Sequence, residues 1–244
     1  MFPSVPTQGL QNTSLHSHPT YKTAVLIFAL SPGAAAENKP FLSWNSLAAK
    51  LTAATKKKVA ATGMDFFHFT EAEQEGHTFG ERYTNAISEV YARGYDAVIT
   101  IGNDSPGLQS RHILEAKNAV ENGGFAMGPS HDGGFYLMAL QQAHFDPAAF
   151  AAFSWNTAGV GQEVLSYFRK KNAAVHTLPP LYDLDRPGDA KKLLATLKPV
   201  LTKVLRLLTM LLKPGAPLYV YHPAQTLELS GCPVWNKGSP LPIR

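Results

Sequence analysis

The feature that most constrains this sequence is a set of short apolar runs, each followed by a polar turn. Residues 24–30 and 97–101 are the clearest of these runs, and such runs are typical of strands buried on both faces. Helical patterns lie between them, the strongest at 81–93, where apolar residues recur at i, i+3, i+4, i+7 and i+8. Buried strands that alternate with amphipathic helices predict an α/β fold with a mostly parallel sheet covered on both faces.

The same patterns predict the remaining elements. Residues 31–33 form a turn, and Asp185 and Pro187 open the last helix. Further helices are expected at 46–61, 110–121 and 158–171, and strands at 65–69, 125–127, 135–140 and 175–178. Because ligands bind outside the carboxyl ends of parallel strands, the loops after Leu30, Ile101 and Met127 are the first candidates for chemistry.

We predict one transferase-sized domain with two appendages. Residues 1–21 read as a flexible N-terminal arm, 22–198 as the domain, and 199–244 as a C-terminal helix with a Pro-rich tail. Leucine and valine residues keep helical spacing from 193 to 212. That stripe either packs back on the domain or forms the surface for a homodimer or another partner.

Composition excludes several classes of protein. A net charge of +4 with no basic stripe interleaved with aromatics argues against nucleic-acid binding. The single cysteine, Cys232, excludes an internal disulfide and a cysteine-based metal site. We see no signal peptide and no apolar run near the ~20 residues that a membrane span needs. We therefore expect a soluble, cytoplasmic protein.

The segment G-N-D-S-P-G at 102–107 carries the main candidate residue. Asp104 follows a predicted buried strand, which places a carboxylate at the ligand edge of the sheet. Mg²⁺ and Mn²⁺ accompany nucleotide phosphates and take carboxylate ligands there. The alternative is that Asn103 and Asp104 only form a turn through side-chain-to-backbone bonds.

Three other segments have weaker signals. In G-P-S-H-D-G-G-F-Y-L from Gly128, Asp132 is a second acid, although Asp-Gly also predicts a hairpin turn. Glu81 and Arg82 open the clearest helix, where Arg82 could grip phosphate or Glu81 could simply favour the helix dipole. Asp185, in Y-D-L-D-R-P, is explained sufficiently as a helix cap, and a metal role is the alternative.

Taken in order, these motifs resemble one family. G-E-R-Y-T-N-A from Gly80, V-I-T-I-G-N-D-S-P-G-L from Val98, G-P-S-H-D-G-G-F-Y-L-M-A-L from Gly128, F-S-W-N-T from Phe153 and Y-D-L-D-R-P-G-D from Tyr182 closely resemble the bacterial DUF2064 family. More distantly the chain is similar to the guanylyltransferase that acts on phospholactate and to molybdenum-cofactor nucleotidyltransferases. The resemblance implies a GT-A-like (nucleotide-diphospho-sugar transferase) three-layer α/β/α sandwich.

The resemblance also implies a function and a site. It implies a metal-dependent glycosyltransferase or nucleotidyltransferase that uses Mg²⁺ or Mn²⁺, a nucleotide or nucleotide-sugar donor and an unknown acceptor. Asp104 matches the family's metal or nucleotide aspartate, and Asp132 is the second ligand or the acceptor base. Expected nucleotide and phosphate contacts are Lys39, Glu81, Arg82, Asn103, Gly133 and Gly134.

The chain departs from the family after its first strand. Most members carry a Lys-Thr-Arg-Leu-like basic motif there, whereas in residues 31–40 only Lys39 is positively charged. The alternative function is therefore a catalytically weakened nucleotide-binding or interaction module of the same fold. A Rossmann dehydrogenase is disfavoured, because no G-x-G-x-x-G follows the first strand.

Overall fold

The structure, a computed structural model, describes residues 21–196 and Thr209. Its strands are β1 (Thr23–Phe28), β2 (Phe66–Phe69), β3 (Ala97–Ile101), β4 (Phe125–Pro129), β5 (Phe135–Gln141) and β6 (Val175–Thr177). They form one sheet in the order β2-β1-β3-β5-β4-β6. Every neighbouring pair is parallel except the two that involve β5, so β5 alone runs against the others in this sheet.

The helices follow the predicted order with three differences. They are α1 (Pro32–Asn38), α2 (Leu47–Ala60), α3 (Phe79–Ala92), α4 (Ser110–Glu121), α5 (Pro147–Ala152), α6 (Val160–Lys170) and α7 (Asp189–Thr196). The turn predicted at 31–33 is wrong, because Ser31 caps α1 and Pro32 begins it. Helix α5 was not predicted. Helix α7 begins four residues after Asp185, so the predicted start is also wrong.

Alternate residues of each central strand enter different hydrophobic layers. Leu26 and Phe28 of β1 pack with α3, α5 and α6. Val25 and Ile27 pack on the other face with Val59 of α2 and with α4. Both faces are therefore covered by helices, which confirms the predicted three-layer α/β/α sandwich and explains the unbroken apolar runs.

A third hydrophobic cluster lies beyond the sheet. It joins Leu30 and α1 to the start of α2, and to Leu184 and Leu193 around α7. The segment between β1 and α2 is thereby held against the segment between β6 and α7. From β1 the chain crosses to β2 on one side, and from β2 it returns to β3 on the other. This switch in direction is where parallel sheets leave a ligand crevice.

The boundaries predicted for the appendages stay untested. The arm at 1–21 lies outside the described residues except for Tyr21, and the helix and tail at 199–244 lie outside them except for Thr209. Across the part of the chain that the structure describes, no helix has the length and apolar character that a membrane crossing requires.

Candidate functional site

Asp104 lies just after β3, at the carboxyl edge of the sheet. Its backbone carbonyl accepts a 2.8 Å hydrogen bond from the amide of Leu184, which fastens the loop after β3 to the segment after β6. Its side chain is only 10% exposed. A Cβ at Gly102 would lie 2.8 Å from Asp104 Oδ1, so a glycine there leaves room for the carboxylate.

The ammonium group of Lys39 lies between two carboxylates. Its Nζ is 2.5 Å from Asp185 Oδ1 and 3.7 Å from Asp104 Oδ2, and the lysine side chain is 14% exposed. Burial alone would lower the pKa of Lys39, but the charges of Asp104, Asp185 and Asp183 outweigh it and raise that pKa above its usual range. Lys39 is therefore a firmly charged cation inside an acidic cluster.

Asp183 joins two of the loops that follow the strands. Ser105, after β3, donates a hydrogen bond to its Oδ1, and Ser130, after β4, donates one of 2.6 Å to its Oδ2. Withdrawal from water raises the pKa of Asp183 well above its ordinary value, and the nearby charge of Asp104 raises it further. Asp183 thus acts as a clamp between these loops, placed directly beside Asp104.

Asp132 lies in the β4–β5 hairpin and has one oxygen committed to the turn. Its Oδ1 accepts a 3.0 Å hydrogen bond from the amide of Gly134, as expected for a side chain that stabilises a turn. Its Oδ2 is buried and has no hydrogen-bond partner within the described structure. Burial raises the pKa of Asp132, and the charges of Asp185 and Asp104 raise it further despite the bond from Gly134.

The acidic cluster is defined by Asp104, Asp132, Asp183 and Asp185, which affect one another electrostatically. Among residues 21–196 no three acids or histidines are already arranged around one metal position. Mg²⁺ sites in nucleotide enzymes need only one or two carboxylates, because phosphate and water complete the shell. The unpartnered Oδ2 of Asp132 and the carboxylate of Asp104 fit such a site.

The hairpin glycines have a structural role. Gly133 has φ +95°, and a Cβ there would lie 2.0 Å from the carbonyl oxygen of Ala158. Its own carbonyl accepts a 3.1 Å bond from the amide of Gly161 near the start of α6. The hairpin therefore needs glycine to pack against α6, and contact of Gly133 and Gly134 with a ligand stays a prediction.

Asn103, Glu81 and Arg82 are all held by contacts within the protein. Asn103 Nδ2 donates a 2.9 Å bond to Thr52 Oγ1 on α2. Glu81 forms a capping box with Thr78, and Arg82 Nη1 donates to the carbonyl of His77 at 3.2 Å. These contacts favour the structural alternative for Glu81 and leave the predicted phosphate contacts untested.

Asp183 and Asp185 belong to the acidic cluster, although neither is among the site residues predicted from the sequence. The sequence predicts a helix cap at Asp185, but its carboxylate pairs with Lys39, and Asp189 accepts the amide of the preceding Arg186 at 2.9 Å. The sequence signal that could have identified these two aspartates is the alternation Asp-Leu-Asp at 183–185, which follows a strand. Leu184 is buried in the third hydrophobic cluster, so the aspartates on either side of it are left to face the polar cluster.

Comparison with known proteins agrees with this architecture. Residues 45–157 match the model of DUF2064, described as "Uncharacterized protein conserved in bacteria". The crystal structure of a "putative nucleotide-diphospho-sugar transferase" from Desulfovibrio desulfuricans G20 superposes with a TM-score of 0.67 at 24% identity, covering 78% of this chain and 96% of that one. No curated protein sequence matches the chain.

Two further solved structures are more remote. Rv0371c of Mycobacterium tuberculosis H37Rv, in complex with manganese, gives a TM-score of 0.39 at 11% identity, covering 72% of this chain and 100% of that chain. A cytidylyltransferase from Leptospira borgpetersenii serovar Hardjo-bovis gives 0.35 at 11% identity, covering 83% and 100%. The match over residues 45–157 confirms the resemblance to DUF2064 that the motifs indicate, and the chain has the fold of nucleotide-diphospho-sugar transferases.

Proposed function

We propose that this protein is a metal-dependent transferase that moves a glycosyl or nucleotidyl group from a nucleotide or nucleotide-sugar donor. The observation that carries the proposal is the convergence of Asp104, Asp183 and Asp185 on Lys39 at the carboxyl edge of the sheet, with Asp132 close enough to Asp104 and Asp185 to feel their charges. Such an arrangement suits a donor whose phosphates arrive with a divalent cation. The fold supports the same class, but fold alone does not fix an activity.

Each residue has a proposed role. Asp104 and Asp132 would hold Mg²⁺ or Mn²⁺, and the bound ion would supply charge neutralisation for the leaving pyrophosphate or nucleoside diphosphate. Asp183 is a positioning residue, because it ties the loops that carry Ser105 and Ser130. Asp185 holds Lys39 at the cluster. Burial and the neighbouring charges that raise the pKa of Asp132 suit it equally to accept a proton from an acceptor hydroxyl.

Calorimetric titration tests whether the protein binds a nucleotide or nucleotide-sugar donor together with a divalent metal ion. Nucleoside triphosphates and nucleoside-diphosphate sugars are titrated with and without Mn²⁺, and binding should tighten at least tenfold with the metal. Asp104→Asn keeps the side-chain volume and removes the charge, so metal-linked binding should disappear. Asp146→Asn is the matched control, because Asp146 caps α5 away from the cluster. Equal binding and turnover by Asp104→Asn and the parent would refute the proposed site.

Product analysis separates the two kinds of transfer. Pyrophosphate released from a nucleoside triphosphate indicates nucleotidyl transfer, and a nucleoside diphosphate released from a sugar donor indicates glycosyl transfer.

A second candidate, a nucleotide-binding module without turnover, is favoured by one contact. Lys39, the only cation of residues 31–40, is paired with Asp185 rather than open to phosphate. Metal-linked binding with no product from any donor would support that candidate.

A further inference from the structure

The position of Lys39 conflicts with the expected role of Lys39 as a phosphate contact and with that of Asp104 as a metal ligand. A lysine that contacts phosphate should point at the ligand, and a metal-binding aspartate should be open to the metal. Instead Lys39 Nζ lies 3.7 Å from Asp104 Oδ2 and 2.5 Å from Asp185 Oδ1. All three side chains are largely shielded, with 14%, 10% and 26% of their surfaces exposed.

We propose that Lys39 makes the site selective for a metal–phosphate complex over the free metal ion. This inference rests on the proposed function. In the ligand-free protein the ammonium group neutralises the carboxylates that a metal would use. A free divalent cation must displace that group from the cluster. A cation that carries phosphates brings its own anionic partner for the displaced lysine.

The local structure supports movement of Lys39 without movement of the acids. Asp104 lies on a loop fastened through its carbonyl to Leu184, and Asp183 is held by hydroxyl donors from two loops. Lys39 instead follows the last turn of α1, where its backbone amide bonds to the carbonyl of Ala35. A lysine side chain has four rotatable bonds, so its ammonium can leave while its backbone stays in place.

Electrostatics determine the direction of the effect. The ammonium group of Lys39 is paired with the carboxylate of Asp185 and lies 3.7 Å from Asp104 Oδ2. Removing a charged partner from a shielded pair leaves an uncompensated charge, which is costly. A free Mn²⁺ ion gains the carboxylates but separates Lys39 from them, whereas Mn²⁺ with pyrophosphate supplies replacement anions. Metal and phosphate should therefore bind cooperatively, and by linkage each tightens the other equally.

Variants at Lys39 test this coupling. Binding of Mn²⁺ alone is measured from the free-ion signal in electron paramagnetic resonance. Binding of radiolabelled pyrophosphate, with and without Mn²⁺, is measured by equilibrium dialysis. In the parent, Mn²⁺ should raise pyrophosphate affinity by on the order of tenfold or more. In Lys39→Gln, Mn²⁺ alone should bind about tenfold more tightly and the coupling should largely vanish. Lys39→Arg keeps the charge, so free Mn²⁺ should bind as in the parent.

The outcomes separate this inference from the proposed function. If neither the parent nor Lys39→Gln binds Mn²⁺ with pyrophosphate, the proposed function is wrong. If both bind Mn²⁺ alone with equal affinity, the role of Lys39 is wrong while the metal site survives. Circular dichroism establishes that each variant is folded.

A measurement on the unmodified sequence covers the case in which Lys39→Gln fails to fold. The rate of lysine acetylation is followed by mass spectrometry. Lys39 should be protected in the metal-free protein and should react several-fold faster at saturating Mn²⁺. Exposed Lys57 serves as the internal reference. An unchanged rate at Lys39 under saturation would overturn the inference.

Discussion

Ser130 Oγ lies 2.6 Å from Asp183 Oδ2 and joins the loop after β4 to the segment after β6. Ser105 donates to the other oxygen of the same carboxylate from the loop after β3. One side chain thus fixes the relative positions of three chain segments that carry the acidic cluster. Burial and then the nearby charge of Asp104 raise the pKa of Asp183, so we expect its two hydrogen bonds to stabilise the protein more than its negative charge does.

Substitution at Asp183 separates the bonds from the charge. Asp183→Ala removes both acceptors and should destabilise the protein by about 1–3 kcal/mol, the usual cost of leaving shielded polar groups unpaired. Asp183→Asn keeps the shape, one carbonyl acceptor and an amide that a serine hydroxyl can accept from. It should cost less than half as much. Urea unfolding of both variants at neutral pH measures the difference, and equal losses would show that the charge itself is required.

Gly133 should be far more sensitive to a methyl group than Gly63. Both have positive φ, +95° and +72°, but an added Cβ at Gly133 would lie 2.0 Å from the carbonyl oxygen of Ala158 and at Gly63 would meet no atom within 4 Å. Gly63→Ala should cost only backbone strain, about 1–2 kcal/mol. Gly133→Ala adds the clash with the backbone of Ala158, just before α6, and should cost more than roughly 3 kcal/mol. Denaturant midpoints compare them, and equal midpoints would contradict the packing described here.

The sequence predicts the strands and helices of the three layers better than it predicts the contacts between loops. Strands β1 and β3 and helix α3 can be predicted from the local pattern of apolar residues, because that pattern depends only on residues close together in the sequence. The hairpin at Asp132 also follows from local turn chemistry. The pairing of Lys39 with Asp185 spans 146 residues, and no local pattern encodes a contact at that separation. It depends on the third hydrophobic cluster, which forms only when α1 and α7 pack.

Local rules also explain why the last helix was placed wrongly. Asp185 followed by Pro187 satisfies the preferences for a helix cap and first turn. In the fold, Lys39 offers that carboxylate a charged partner, and Asp189, the first residue of α7, accepts the backbone amides of the preceding Asp185 and Arg186. The partner of the Asp185 carboxylate is therefore a residue far away in the sequence, which local preferences do not reveal.

Lys58 should make stability depend on pH in the alkaline range. Burial lowers the pKa of Lys58 from 10.5 to about 8, and its Nζ donates to the carbonyl of Pro106 at 3.1 Å. Between these values the unfolded chain binds more protons than the folded protein, so stability from this group rises with pH. Below pH 8 both states are protonated and the penalty for burying the charge is complete.

The pH effect is isolated by comparing the parent with Lys58→Met. The stability of the parent relative to this variant should increase from pH 8 to 10, by no more than about 3 kcal/mol. Lys57→Met, at an exposed position of the same helix, should show no such change relative to the parent. Urea unfolding at half-unit pH steps provides the measurement. A parallel pH profile for the parent and Lys58→Met would contradict the buried position of Lys58.

Asn103 was predicted to contact nucleotide, and a double-mutant cycle distinguishes that role from its bond to Thr52. Asn103 Nδ2 donates to Thr52 Oγ1 at 2.9 Å, and both residues are buried. Thr52→Val leaves that donor unpaired and should cost about 1–3 kcal/mol, whereas adding Asn103→Leu removes the unpaired group and should recover part of the loss. Calorimetry with a nucleoside triphosphate and Mn²⁺ supplies the second readout. If Asn103 only positions the loop, each single variant weakens binding in proportion to its lost stability. If Asn103 contacts the donor, Asn103→Leu weakens binding while Thr52→Val does not, because only the first removes the amide.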